Sequence, residues 1–289
     1  MPALFALIVA ATLIAFTPIL VRFSEVGPLS TAFWRLFFAL PGLALWAYLE
    51  RRYVPKTTAL ALPSTPWLVL AGAGFCFAAD LATFHTAIMH TTAGNATFFA
   101  NTTPVIVGFF AWLVLKKPLS RDFLLGVALA VIGGALLSGG APATGAHTYF
   151  GDILGVVAAF WYAAYILLIG KAREGMPTGA VMLITNTVAA VFALPMALVS
   201  GEVFFPPPSL TAWGVLVVFG LVVQLGGQGL LAFALGRVDA TLASVVILLQ
   251  PVLAALLGWI LFQEAMAALQ LAGGAAILVG IWLARRGSN

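Results

Sequence analysis

The sequence predicts an all-α integral membrane protein of ten transmembrane helices, arranged as two inverted five-helix repeats. Three observations carry that expectation. Of the 289 residues, 63% are hydrophobic and 8% charged, with a mean hydropathy of +1.11, whereas about a quarter of a soluble domain is charged. Apolar runs of membrane-crossing length recur along the chain, separated by short polar clusters. A pattern from the first half also returns in the second at a fixed offset, with its charges redistributed.

A helix crossing about 30 Å of hydrocarbon needs roughly 20 apolar residues. The first run, 3–22, is of that length and has no basic segment ahead of it, as expected of a retained helix rather than a cleaved signal. The second, 29–49, opens behind Pro28, suited to a helix start, and stops at ERRYVPK, 50–56. Runs three and four, 66–88 and 92–115, are divided only around His90, and the fourth stops at KKPLSRD, 116–122. The fifth, 120–140, ends in APATGAHTYFGD, 141–152, and the sixth, 151–170, in KAREGMP, 171–177. The seventh, 178–199, precedes EVFFPPPS, 202–209. The eighth and ninth, 210–235 and 239–262, meet at Asp239, and QEAM leads into the tenth, 266–284. These Pro-, Gly- and charge-rich breaks are ordinary loop punctuation, and none is long enough to hold a soluble domain. The expected division is residues 1–140, a linker at 141–150, and residues 151–289.

At an offset of 147, Ala93, Pro104, Trp112, Gly126 and Gly133 fall on Ala240, Pro251, Trp259, Gly273 and Gly280. At 149, Arg22, Glu25 and Pro28 fall on Lys171, Glu174 and Pro177. Five spans is an odd number, so a second copy enters the membrane from the opposite side. Positive charge tests this, because Lys and Arg of short loops stay cytoplasmic. With the N-terminus inside, eleven of the 13 Lys and Arg lie on inner segments, Arg22 lies outside and Arg35 lies within the second span. Basic KKPLSR has a cation-free counterpart in QEAM, and RRYVPK has one in EVFFPPPS. Charge therefore follows the membrane side rather than the repeat, as in inverted-repeat secondary transporters. Both termini are then cytoplasmic.

Several function classes fall away. A net charge of +4 on so few charged residues leaves no basic face for nucleic acid. The single cysteine, Cys76, allows no intrachain disulfide. No GxxxxGK[ST] loop is present for a nucleotide-driven pump, and rings of like charge for a channel are missing. Cys76, Asp80 and His85 come nearest to an enzyme's constellation, but helical spacing puts His85 off the face shared by the other two. No cofactor and no metal are expected. The partners expected are a small-molecule substrate and the lipid bilayer; oligomeric state is left open, and a monomer suffices.

Polar side chains inside apolar spans are costly in lipid but solvated beside a water-filled cavity, where they meet substrate. The stretch NATFFANTTP, 95–104, supplies Asn95, Phe98 and Asn101 as candidate substrate contacts. The eighth and ninth spans supply Gln224, Gln228, Ser244 and Gln250. Asp80, with Phe77 and Phe84 three and four positions away on one face, suits a substrate ammonium or a coupling proton, or else a structural pair with His85 or Arg35. Arg35 sits near enough to the outer face to snorkel, with a structural role or an outer-gate ion pair as its two uses. In FWYAAY, 160–165, Trp161 and Tyr165 share a face and are assigned to the cavity wall. Pro104 and Pro251 each remove a backbone donor and free the carbonyl four residues earlier, which makes them candidate hinges.

The chain resembles the drug/metabolite transporter superfamily, in its ten-helix branch of two EamA-type repeats. The residues that carry the resemblance are PLSTAFWR with Pro28 and Arg35, the mid-helix Pro104 and Pro251, and the two repeat ends, WLVLKKPLSRDFLLGVALAVIGG and WILFQEAMAALQLAGGAAILVG. It covers essentially the whole chain. Glu264 matches the family's acidic position before the last helix of a repeat, while Lys117 stands at the equivalent place in the first half. The resemblance implies alternating access around a central cavity lined by spans one, three, four, six, eight and nine. The aromatic content is similar to that of bacterial aromatic amino acid exporters of the YddG type. That similarity implies amino acid export from the cytoplasm across a bacterial inner membrane, with a broader exporter of cationic compounds as the alternative and a structural helical bundle as the non-transporting one.

Overall fold

The computed structural model describes residues 2–53, 67–91, 93–114, 116, 119–139, 149–207, 209–262 and 267–287. Among them there is no strand. Nine helical stretches are long and apolar enough to cross a membrane. The fifth predicted span is a helix of 19 residues, Arg121–Gly139, which is not among those nine. The sixth begins at Tyr149, inside the expected linker; the rest of that linker up to residue 148 lies outside the described residues.

In chain order the elements are α1 (Pro2–Ile14), α2 (Thr17–Phe23), α3 (Pro28–Tyr53), α4 (Trp67–His90), α5 (Ala93–Ala100), α6 (Thr103–Leu113) and α7 (Arg121–Gly139). They continue with α8 (Tyr149–Arg173), α9 (Thr178–Val199), α10 (Leu210–Val218), a π-helical stretch (Phe219–Gln228), α11 (Gly229–Leu235), α12 (Ala240–Ile247), α13 (Leu249–Phe262) and α14 (Ala268–Gly287).

Four predicted spans are thus interrupted, and three interruptions stand beside a proline. Pro18, Pro104 and Pro251 lie near the starts of α2, α6 and α13, where the missing N–H breaks the preceding ladder. At the α5/α6 break the carbonyl that Pro104 frees, that of Ala100, is met locally, and two neighbouring carbonyls gain a side-chain donor beside their backbone one. Thr103 Oγ1 donates to the Ala100 carbonyl at 2.7 Å, Thr102 Oγ1 to Phe99 at 2.7 Å and Asn101 Nδ2 to Thr97 at 2.7 Å. Such rescue by neighbouring hydroxyls and amides is what lets broken helices persist at membrane depth.

Large apolar residues such as Phe5, Phe109, Leu125, Val191 and Leu271 are exposed, while much of the core is alanine and glycine. Lipid is as apolar as leucine, so helices associate by close backbone approach over small residues. The tightest case is α7 against α14. A Cβ at Gly126 would lie 2.6 Å from the Gly280 carbonyl oxygen, and one at Gly133 would lie 2.6 Å from that of Gly273. The reverse substitutions meet the same backbone at 2.6 Å and 2.5 Å. The two helices run antiparallel.

A second antiparallel pair, α3 and α9, is tied at both ends by carboxylates. Glu202, just past α9, accepts from the backbone N–H groups of Leu29 (3.0 Å) and Ser30 (3.5 Å) at the start of α3. Glu50, near the end of α3, accepts from Thr178 (3.1 Å) and Gly179 at the start of α9. Each satisfies orphan donors and places negative charge at a helix N-terminus. Glu50→Ala and Glu202→Ala are each expected to cost about 1–2 kcal/mol, read as a lowered melting temperature of the detergent-solubilised protein. A melting temperature unchanged in both variants would contradict the capping role.

Candidate functional site: a polar cavity at the helix breaks

The interruptions meet around one half-open cavity whose empty space, including the solvent at its mouth, is about 740 Å³. Ile14, Ala15, Thr17 and Pro18 border it from the α1/α2 break; Ala100, Asn101, Thr103 and Pro104 from the α5/α6 break. Ser244, Ile247, Leu248 and Gln250 come from the α12/α13 break, and Gln228 closes the π-helical stretch. The continuous helices add Arg35 from α3, Phe77, Asp80, Leu81 and Phe84 from α4, and Tyr162 from α8. The wall is therefore mostly the part of each span where the sequence breaks its own ladder.

Asp80 is 9% exposed. Among the described residues, nothing donates a hydrogen bond to its carboxylate and no cation stands within ion-pair reach; its backbone carbonyl accepts from Thr83 Oγ1. The expected structural pair with His85 does not form: His85 Nδ1 donates to the Pro28 carbonyl at 2.9 Å, and its Nε2 is buried without a partner among the described residues. Nor does a direct pair with Arg35. Thr17, Gln228 and Gln250 also border the cavity, and each carries a buried polar atom, Oγ1, Oε1 and Nε2, without a partner among the described residues. Buried polar groups are normally satisfied, so a cavity lined by a carboxylate without a partner among the described residues and by three residues with unsatisfied polar atoms marks a site for a polar molecule.

Arg35 corrects the snorkelling expectation. It is 2% exposed, and its Nε and Nη2 donate to Gln224 Oε1 at 3.1 and 2.9 Å. Its guanidinium carbon lies 5.7 Å from the Phe77 ring centroid and 4.7 Å from that of Phe219. Ring faces and a buried amide hold it inside, so it has no need to reach for water.

Of the residues assigned to substrate from the sequence, Asp80, Phe77, Phe84, Asn101, Gln228, Ser244 and Gln250 border the cavity, as does Pro104. Gln224 stands behind Arg35 and donates to Asn186 Oδ1 at 2.9 Å. Tyr165, 1% exposed, lies behind the wall, stacked on Phe77 at 4.5 Å. Trp161 packs edge-on to Phe75 and Phe160, and Phe98 lies against Phe99 and next to Gly134. Pro251 is buried off the wall. The Asn95 side chain falls outside the described residues. The wall residue missed in FWYAAY is Tyr162, whose hydroxyl meets Gln228 Nε2 at 3.5 Å. One position turns a side chain about 100° around a helix, enough to exchange wall for backing.

Membrane-length helices folded around a central cavity with unsatisfied polar groups define a membrane transporter of a small molecule. The chain belongs to the EamA-like transporter family, whose model matches residues 1–139 and again 149–286, and through it to the drug/metabolite transporter superfamily. A protein of Archaeoglobus fulgidus named an uncharacterized transporter is 27% identical over 276 residues, 93% of this chain and 91% of that one. The pseudopaline exporter CntI of Pseudomonas aeruginosa is 28% identical over 221 residues, 76% of this chain and 75% of its own. A solved crystal structure matches with a TM-score of 0.79 over 99% of this chain and 97% of that one, at 16% identity, a likeness of fold alone.

Proposed function

We propose that this transporter exports amino acids, aromatic and other neutral ones, from the cytoplasm by alternating access between two inverted five-helix repeats. One observation carries the substrate class. A carboxylate without a partner among the described residues, Asp80, shares the cavity with Phe77, Phe84 and Tyr162, an arrangement that suits an ammonium group attached to an apolar side chain. Asn101, Gln228, Ser244 and Gln250 supply the remaining polar contacts, and Pro104 and Pro251 act as hinges. The name of the similar pseudopaline exporter supports outward transport.

Support for inversion comes from α7 and α14. Gly126 and Gly133 correspond to Gly273 and Gly280 by sequence offset, yet Gly126 meets Gly280 and Gly133 meets Gly273. Reciprocal contacts of this kind are the signature of a two-fold axis. The repeats are residues 1–140 and 151–289, joined by a linker, and the two stretches matched by the family model agree with that division. The location is a bacterial inner membrane, with both termini cytoplasmic.

Asp80 and the aromatic wall, taken without the neutral polar contacts, also suit a second reading, a broad exporter of cationic compounds. Counterflow in proteoliposomes separates the two. Phenylalanine, methionine and threonine are expected to exchange, and a quaternary ammonium dye to exchange poorly. Robust dye movement with no amino acid exchange would overturn amino acid export.

A further inference from the structure

We propose that Arg35 reads the substrate's carboxylate and that Gln224 and Asn186 hold it in position to do so, which makes the transporter select zwitterions over amines. This rests on the cavity being the substrate site.

Arg35 is permanently charged and buried at the cavity wall. It presents five donors. Two of them, on Nε and Nη2, converge on the single oxygen Gln224 Oε1. Among the described residues nothing else accepts a hydrogen bond from it, and no carboxylate pairs with it. The rings of Phe77 and Phe219 attract the cation, but they leave the Nη1 donors unused. A buried cation without a contacting counter-charge is costly, and Asp80, on the same cavity, attracts it only from beyond ion-pair distance and is in the mirror situation.

The position of Gln224 is itself determined. Its Nε2 donates to Asn186 Oδ1 at 2.9 Å, and Asn186 Nδ2 donates to the Leu36 carbonyl at 2.9 Å. A backbone acceptor at one end and a cationic donor at the other fix the orientation of both amides. A flipped Gln224 would turn its own N–H groups toward the guanidinium. The chain starts from the residue after Arg35 and returns to Arg35, joining α3, α9 and the π-helical stretch, so the guanidinium cannot drift from the wall without breaking it.

A charged acceptor and a charged donor set thus border one cavity without touching each other. A molecule bearing an ammonium and a carboxylate compensates both at once, the ammonium at Asp80 and Gln228 Oε1, the carboxylate on the free edge of the Arg35 fork. An amine of the same shape leaves Arg35 as uncompensated as before and gains only half of the interaction. Gln224 and Asn186 are positioning residues; they act through Arg35.

The test is counterflow of phenylalanine against phenethylamine, which has the same ring and ammonium without the carboxylate. Wild-type protein is expected to exchange phenylalanine at least about tenfold faster. In Arg35→Gln that ratio is expected to fall to about one. Gln224→Glu keeps Arg35 but sets a carboxylate against it, and is expected to lower the ratio in the same way. A general structural defect would slow both compounds alike and leave the ratio where it was. Should Arg35→Gln fail to elute as a monodisperse species, Gln224→Glu decides. A wild-type ratio near one, or a wild-type ratio retained in Gln224→Glu, would overturn the assignment while leaving amino acid export standing. Wild-type liposomes that move neither compound would overturn the export proposal and this one with it.

Discussion

Asp80→Asn is expected to lower phenylalanine counterflow about a hundredfold or more while the protein still accumulates in the membrane and elutes normally. Asparagine keeps the size and removes the charge. Among the described residues the carboxylate receives no hydrogen bond from the protein and makes no contact ion pair, so the fold loses no bond with it and only its longer-range attraction to Arg35. An ammonium in the cavity, by contrast, loses its counter-charge. Removing one partner of a desolvated charge pair typically costs about 3–5 kcal/mol, which is about two to three and a half powers of ten in affinity. Initial exchange rates, normalised to reconstituted protein, measure it. Full activity in the variant would remove Asp80 from the mechanism, and poor accumulation would show that its role is in folding after all.

The second large effect is structural. Gly133→Ala is expected to prevent stable accumulation, whereas Gly134→Ala next to it is expected to be tolerated. At Gly133 the added carbon meets the Gly273 carbonyl oxygen at 2.6 Å and the Ile277 nitrogen at 2.8 Å, both backbone atoms that retreat only if α7 and α14 separate. At Gly134 its nearest neighbour is a Phe98 ring atom at 3.6 Å, an ordinary contact. Overpacking of a rigid interface costs about 1–3 kcal/mol and sometimes more, and stability margins of this order separate folded from degraded protein. Yield and melting temperature of the two variants in detergent compare them directly, and equal behaviour would contradict the close approach.

Much of the fold was legible in the sequence because a bilayer imposes a length and a polarity that periodicity cannot disguise. The apolar runs, and the breaks at Pro104 and Pro251, follow from backbone chemistry alone. The π-helical stretch and the α1/α2 break did not, because Thr17-Pro18 sits close enough to a span end to pass for its terminus, and a π turn has no composition of its own. For the cavity, Asp80, Phe77 and Phe84 were found by helical spacing within α4. Arg35 was misplaced for the opposite reason. Snorkelling treats one helix in isolation, whereas its acceptor Gln224 is 189 residues away in sequence. Trp161 and Tyr165 were taken for wall because an aromatic cluster shows which turn matters, while the phase of that turn depends on neighbours. Glu50 and Glu202 lay in segments that charge counting treats only as loops, so their reach across to the other helix's first turn had no sequence signal.

Those two glutamates constrain how the molecule moves. With a carboxylate fastening each end of α3 to the opposite end of α9, the two helices form a spindle that neither membrane face can pry apart alone. Under the alternating access proposed above, a change of access is expected to swing the interrupted helices around that spindle, with the short half-segments setting the solute's passage while the central pair keeps its length and register.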